Sequence, residues 1–204
     1  QPDLLVTSLI SPTSGRQNTG RTVTFTLQVK NQGSAAAGRF RVGIYLSDDP
    51  IIDPATDIKT GNECLFNSLG IGVTTTCNGS FSLPKGLETG IYYLGAYADP
   101  YSAIKESDES NNSLATIDTL TLNNLTVLKT GAGGGTVTSS PSGINCGSDC
   151  ATAFLADATA TLTATPVTGS TFVGWDGCTP TPDKPRECKV TMSNATTVTA
   201  DFGL

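Results

Sequence analysis

The sequence predicts an all-β protein built from two modules, and three observations carry that expectation. Apolar residues recur at every second position in several short runs, and none recur at helical spacing over a useful length. Thr, Ser and Gly dominate the composition, which suits short strands joined by tight turns. The 6 cysteines fall into three sequence-local pairs, Cys64 with Cys77, Cys146 with Cys150 and Cys178 with Cys188. An even count with local pairing predicts three disulfides and an oxidising compartment. About 15 connectivities are open to six cysteines, so locality is here a preference among them. At 204 residues the chain fits one large or two ordinary domains.

In residues 1–122, Val23, Phe25, Leu27 and Val29 alternate with Thr22, Thr24, Thr26, Gln28 and Lys30. That period marks a strand with one buried face. Phe40, Val42, Ile44 and Leu46 repeat it against Arg39, Arg41, Gly43 and Tyr45, after a small-residue connection over 31–38. Further strands are expected near 4–10, 64–69, 75–83, 90–98 and 113–122. About seven short strands with regular turn signals suggest a sandwich of the immunoglobulin class, and a barrel would give the same pattern.

Four segments stand out in this stretch: Pro2-Asp3-Leu4-Leu5-Val6, Val29-Lys30-Asn31-Gln32-Gly33, Val42-Gly43-Ile44-Tyr45-Leu46-Ser47, and the acidic corner Lys105-Glu106-Ser107-Asp108-Glu109-Ser110-Asn111-Asn112. In this order they resemble the CARDB family of prokaryotic cell-adhesion-related domains. The resemblance implies an immunoglobulin-like β-sandwich acting as an extracellular spacer or adhesive module. The Cys64–Cys77 insertion departs from the barest form of the pattern, and as a disulfide it would add about 2–3 kcal/mol.

Residues 123–204 form the second expected module. Its strands are expected at 125–127, 136–139, 160–166, 171–175, 189–192 and 197–202, with Gly131-Ala132-Gly133-Gly134-Gly135 as a turn and Cys146-Gly147-Ser148-Asp149-Cys150 as a clasp. With Leu162-Thr163-Ala164-Thr165-Pro166, Phe172-Val173-Gly174-Trp175 and the closing Val198-Thr199-Ala200-Asp201-Phe202, this order resembles the surface repeats related to the internalin B-repeat. The resemblance implies a small β-grasp-like module. At about 80 residues its core is thin, and two disulfides would compensate. Trp175 is expected to be its largest apolar contributor. The join at 122–125 carries no flexible linker, so the two modules are expected to form a stiff spacer.

Composition excludes several functions. A net charge of -6, with no cluster of Lys or Arg, argues against nucleic acid or an anionic membrane as partner. No window of about 18 apolar residues is present, so no membrane span is expected. With 0 His, neither a Ser-His-Asp nor a Cys-His arrangement can form, and oxidised cysteines are not nucleophiles. The carboxylates sit mainly in turns, whereas glycoside hydrolysis needs two of them flanking a groove. No enzyme is expected, and no cofactor apart from calcium.

Candidate binding residues remain. Asp48, Asp49, Asp53 and Asp57 share one loop, and calcium takes six to eight oxygens, so this loop is the candidate calcium site. Its spacing is not that of an EF-hand, and a solvated loop with Asp-set turns is the alternative. Glu106 to Glu109 reads as a structural corner closed by Asn111 and Asn112. Asn78, Asn111, Asn124 and Asn194 each open an N-glycosylation triplet. Tyr92, Tyr93, Tyr97 and Tyr101 could line a saccharide-stacking face, with at least one of Tyr92 and Tyr93 expected in the core. Lys30 beside Asn31 has the residue types of an isopeptide crosslink.

The expected function is that of a non-catalytic extracellular or cell-surface protein, a two-module spacer or adhesive unit. An exported chain whose leader has been removed would open as this one does, and so would a chain trimmed at its start. Two alternatives are the repeating subunit of an extracellular filament or surface layer, and the carbohydrate-binding appendage of a larger secreted enzyme. The expected partners are other surface proteins, polysaccharide or copies of the chain itself, a homopolymer in the last case.

Overall fold

A computed structural model of the chain describes residues 1–11 and 20–204. Among the described residues there are only strands and their connections, with no helix. Contacts divide them into two compact units. The first holds residues 1–11, 22–82 and 91–120, and the second holds 20–21, 83–90 and 121–204.

In the first unit, β1 (Leu4–Ile10), β2 (Thr22–Asn31) and β5 (Thr74–Ser82) form an antiparallel sheet in the order β1-β2-β5. The opposing strands are β3 (Phe40–Ser47), β4 (Ile58–Phe66), β6 (Gly90–Ala98) and the first part of β7 (Ser113–Thr130), in the order β7-β6-β3-β4. The period-2 runs meet as anticipated. Val23, Phe25, Leu27 and Val29 are buried from one sheet, and Phe40, Val42, Ile44, Leu46 and Leu94 from the other. Each such side chain stabilises by about 1.5–3 kcal/mol relative to exposure. Phe40 stacks on Phe66 with ring centroids 5.2 Å apart.

One strand lies earlier than the sequence suggests. The expected 64–69 strand is β4, which begins at Ile58. It is an edge strand with a mostly exposed face, so its first half carries little apolar alternation. Its register also shifts: Glu63 opposes Gly43 and Lys59 opposes Tyr45, so Thr60, Gly61 and Asn62 bulge opposite Ile44. A bulge of this kind bends the strand and re-aims its side chains.

The second unit contains β8 (Gly135–Ser140), β9 (Ala151–Leu155), β10 (Thr159–Pro166), β11 (Thr171–Asp176), β12 (Thr179–Thr181), β13 (Lys184–Thr191) and β14 (Thr196–Gly203). One sheet runs β12-β13-β10-β8. In the other, β14 lies between β11 and the second part of β7, pairing with β7 in parallel, and β9 also pairs with β7. The core gathers Leu125, Val127, Phe154, Leu162, Met192, Val198 and Phe202.

The Gly-rich turn is explained by close approach. A Cβ on Gly133 would lie 2.1 Å from the Gly203 carbonyl oxygen, and the Gly133 N–H donates to the Phe202 carbonyl at 2.7 Å. Only a residue without a side chain lets the turn sit against β14 in this way. Trp175 does not dominate this core. It is half-buried beside Phe172, with centroids 5.0 Å apart, whereas Phe154 and Phe202 are fully buried. The indole is large and placed on a sheet-edge strand, so part of it stays at the surface.

Arg21 occupies an unusual place in the second unit. It is only 7% exposed, and its guanidinium donates to the carbonyls of Ala153 and Leu83 at 2.6 Å each, to the Pro84 carbonyl at 3.3 Å, and to the Thr152 hydroxyl. It also lies 5.8 Å from the Phe154 ring centroid. These partners are all neutral, and burial lowers the pKa of the group. Arg21→Ala leaves buried carbonyls without a donor and removes the packing of the arginine stem. It is expected to destabilise the second unit by about 2–4 kcal/mol, read from urea midpoints. Arg21→Lys is expected to recover only a small part of that loss, because an ammonium cannot reproduce the planar fork.

Candidate functional site

All three anticipated cysteine pairs are disulfides, with Cα separations of 6.3 Å for Cys64–Cys77, 4.3 Å for Cys146–Cys150 and 5.9 Å for Cys178–Cys188. No cysteine is free. In the first unit the bridge ties β4 to β5, the edges of opposing sheets, and the Asn62 side-chain amide adds a bond to the Ser80 carbonyl at 2.8 Å. In the second unit, Cys146 and Cys188 are fully buried members of the core.

The scattered sequence segments at 2–6, 29–33 and 105–112 converge on one corner of the first unit. The Glu106 carboxylate, 5% exposed, accepts from the Leu4 N–H and from the Asn112 side-chain amide, the latter at 3.0 Å. Asn112 also donates to the Ala98 carbonyl at 3.2 Å, and Asn111 donates to the Asp3 carboxylate at 2.8 Å. Asn31 is fully buried. Its amide donates to the Ala35 and Leu69 carbonyls while its oxygen accepts from the Asp3 and Gly33 N–H groups. Burial pushes the Glu106 carboxyl up to about 7, against the lowering effect of its hydrogen bonds. The Ser110 N–H and hydroxyl hold Asp108 below its ordinary value. The acidic corner is therefore a built anchor for the first strand.

In the candidate calcium loop three of the four aspartates bond to backbone N–H groups. Asp49 accepts from the Ile51 N–H at 2.7 Å, Asp53 from the Ala55 N–H at 2.8 Å, and Asp57 from the Asp53 N–H at 2.8 Å. These are turn-setting contacts. Ile52 fixes the loop by packing where a Cβ on Gly95 would otherwise stand. Among the described residues no three His, Cys, Asp or Glu side chains are grouped so as to hold a metal ion. Asp48 is exposed. A calcium site here requires that millimolar calcium raise the melting temperature and that Asp53→Asn abolish the rise.

The glycosylation candidates divide by environment. Asn78 and Asn194 are exposed. Asn111 and Asn124 are half-buried, and their amides donate to the carboxylates of Asp3 and Glu88. The expected core position for Tyr92 or Tyr93 is not found, since both are half-buried. The fully buried tyrosine is Tyr45. Leu94, Ala96 and Ala98 fill the inward face of β6; Tyr93 and Tyr97 alternate to the other face, and Tyr92, in phase with Leu94, stands near the start of the strand and stays half-buried. Lys30 is half-buried, and the amide of its neighbour Asn31 is fully engaged by backbone groups.

The β3–β4 bulge opens a crevice of about 310 Å³ that sequence reasoning did not locate. Tyr45 lines it, its ring lying where a Cβ on Gly43 would stand. Burial raises the Tyr45 phenol to about 12, with Tyr101 and Glu63 adding to the effect. Tyr101, 56% exposed, donates its hydroxyl to Glu63, which also pairs with Arg41 at 2.7 Å. That bond raises the Tyr101 pKa. The Lys59 ammonium stands 5.6 Å from the Tyr101 ring centroid. The turn carrying Tyr101 is rigidly made: Asp99 is buried at a φ of 48°, and its carboxylate accepts from the Ala103 and Ile104 N–H groups at 3.0 Å and 2.6 Å.

The CARDB family model matches residues 1–116, more than half of the chain, and the chain belongs to that family. Residues 125–204 match the divergent InlB B-repeat domain. Three solved structures are similar. A domain of a putative cell surface protein from Methanosarcina acetivorans is 26% identical, covering 56% of this chain and 88% of its own, with a TM-score of 0.41. The CARDB domain of a Pyrococcus furiosus protein, crystallised in complex with di-metal ions, is 21% identical over 56% of this chain and 84% of its own, with a TM-score of 0.40. Domains D2 and D3 of the major pilin SpaD from Corynebacterium diphtheriae are 12% identical over 98% of this chain and 97% of their own, also with a TM-score of 0.40. No curated protein matches the chain. The CARDB family is that of surface or adhesion-type proteins, which fits a non-enzymatic role.

Proposed function

We propose that the chain is a spacer or adhesive unit on the outside of a prokaryotic cell, its two modules serving as structure. The observation that carries this reading is the pairing of all six cysteines, each bridge closing within one unit. Such bridges persist where thiols are oxidised, outside the cytoplasm. CARDB membership supports the same reading. The test uses intact cells. External protease is expected to remove the chain, and alkylation before reduction is expected to label none of its cysteines. A chain protected from protease, with alkylatable thiols, would refute the proposal.

A second reading, the filament subunit, draws on the terminal strand of the first unit's three-stranded sheet. β1 ends its sheet, and Ile10 and Ile117, 61% and 99% exposed, flank a shallow crevice shared by β1 and β7. A terminal strand beside exposed isoleucines can accept another strand. Sedimentation at physiological salt separates the two readings: a monomer favours the spacer, and concentration-dependent fibres favour the filament.

A further inference from the structure

We infer that the β3–β4 crevice of the first unit is a saccharide-binding site, taking one hexopyranose ring of a polysaccharide. The inference deepens the surface-module reading by naming a ligand class and the residues that meet it. Four observations support it. The bulge over Thr60, Gly61 and Asn62 opens the sheet edge, and Gly61, at a φ of 78° with open space where a Cβ would stand, keeps the mouth clear. The volume of about 310 Å³ lies at the small end of ligand sites. Tyr101 presents an exposed ring, on a turn fixed by Asp99, against which the C–H face of a sugar can lie. Beside the ring, Glu63 and Asn62 supply acceptor and donor groups that suit vicinal hydroxyls.

The chemistry favours a neutral ring over other small ligands. Glu63 is already balanced by Arg41, so a cation gains little from it. The Lys59 ammonium, on an exposed and flexible stem, covers the Tyr101 ring and can swing away when a sugar stacks there. The partners are held before binding: Tyr101 by its bond to Glu63, Asn62 by its bond to the Ser80 carbonyl. Little side-chain ordering therefore opposes association.

The test is a titration of the ¹⁵N-labelled full chain with millimolar linear hexaoses of glucose, mannose, galactose and N-acetylglucosamine, read by amide shifts. At least one is expected to shift Gly61, Asn62, Glu63 and Tyr101 as a contiguous set. Tyr101→Ala is expected to weaken binding by about ten-fold or more, the loss of one well-made contact. Tyr101→Phe keeps the ring and is expected to bind within a few-fold of the native chain. Glu63→Ala, at a site already open to solvent, is the second variant and should also weaken binding. Unchanged spectra with all four sugars would overturn the inference, as would shifts centred elsewhere or binding indifferent to both Tyr101→Ala and Glu63→Ala. Such a failure leaves the surface-module reading intact, since that reading is tested by protease access and thiol blocking.

Discussion

Replacing Cys146, Cys150, Cys178 and Cys188 together by Ala is expected to leave residues 121–204 unfolded, while the first unit still melts cooperatively. Loop-closure entropy assigns about 2 kcal/mol to the Cys146–Cys150 bridge and about 3 kcal/mol to Cys178–Cys188, from sequence separations of 4 and 10. Their sum, about 5 kcal/mol, is comparable with the whole stability of a module of this size. Packing adds to the loss, because Cys146 and Cys188 are fully buried in the core. Calorimetry of the quadruple variant should show one transition in place of two. Two undiminished transitions would mean that the apolar core alone sustains the second unit.

The second large effect lies at the Glu106 corner. Glu106→Ala removes the acceptor of the Leu4 N–H and of the Asn112 amide, both buried, and is expected to cost about 2–4 kcal/mol at pH 5. The native chain should also lose stability as pH rises. The carboxyl titrates at about 7 when folded, above its ordinary value of 4.5. Between these values the folded chain binds more proton than the unfolded one. Its stabilising contribution is therefore fully present below pH 4.5 and is lost as pH rises through about 7. The change is on the order of 1–3 kcal/mol. Denaturant midpoints at pH 5 and pH 8 measure it directly, and in Glu106→Ala this component of the slope should vanish. An equal slope in both proteins would assign the pH dependence to other groups.

Much of the fold was legible because burial leaves a period in the sequence. The runs over 22–30 and 40–46 have one inward face each, so their alternation survives as pattern. The disulfides were legible because each joins near neighbours in sequence. The corner was legible through its unusual residue string, and its carboxylate serves the first strand some hundred residues away. Other features leave no local trace. β4 is displaced from its expected position because an exposed edge strand with a bulge has no alternation to read. β9 and β12 are short and were not anticipated. Arg21 is bound by backbone carbonyls 62 and 132 residues distant, which any residue types would supply. The Tyr101 crevice depends on the same bulge, so its tyrosine was noted among others while its partners Glu63 and Asn62 were not.

Non-reduced peptide mapping of the chain recovered from the cell exterior tests the central claim most directly. The expected result is three linked peptide pairs, Cys64 with Cys77, Cys146 with Cys150 and Cys178 with Cys188, and no free thiol. A Cys77–Cys146 link, or cysteines recovered as thiols, would contradict an oxidised surface protein made of two separately stapled β modules.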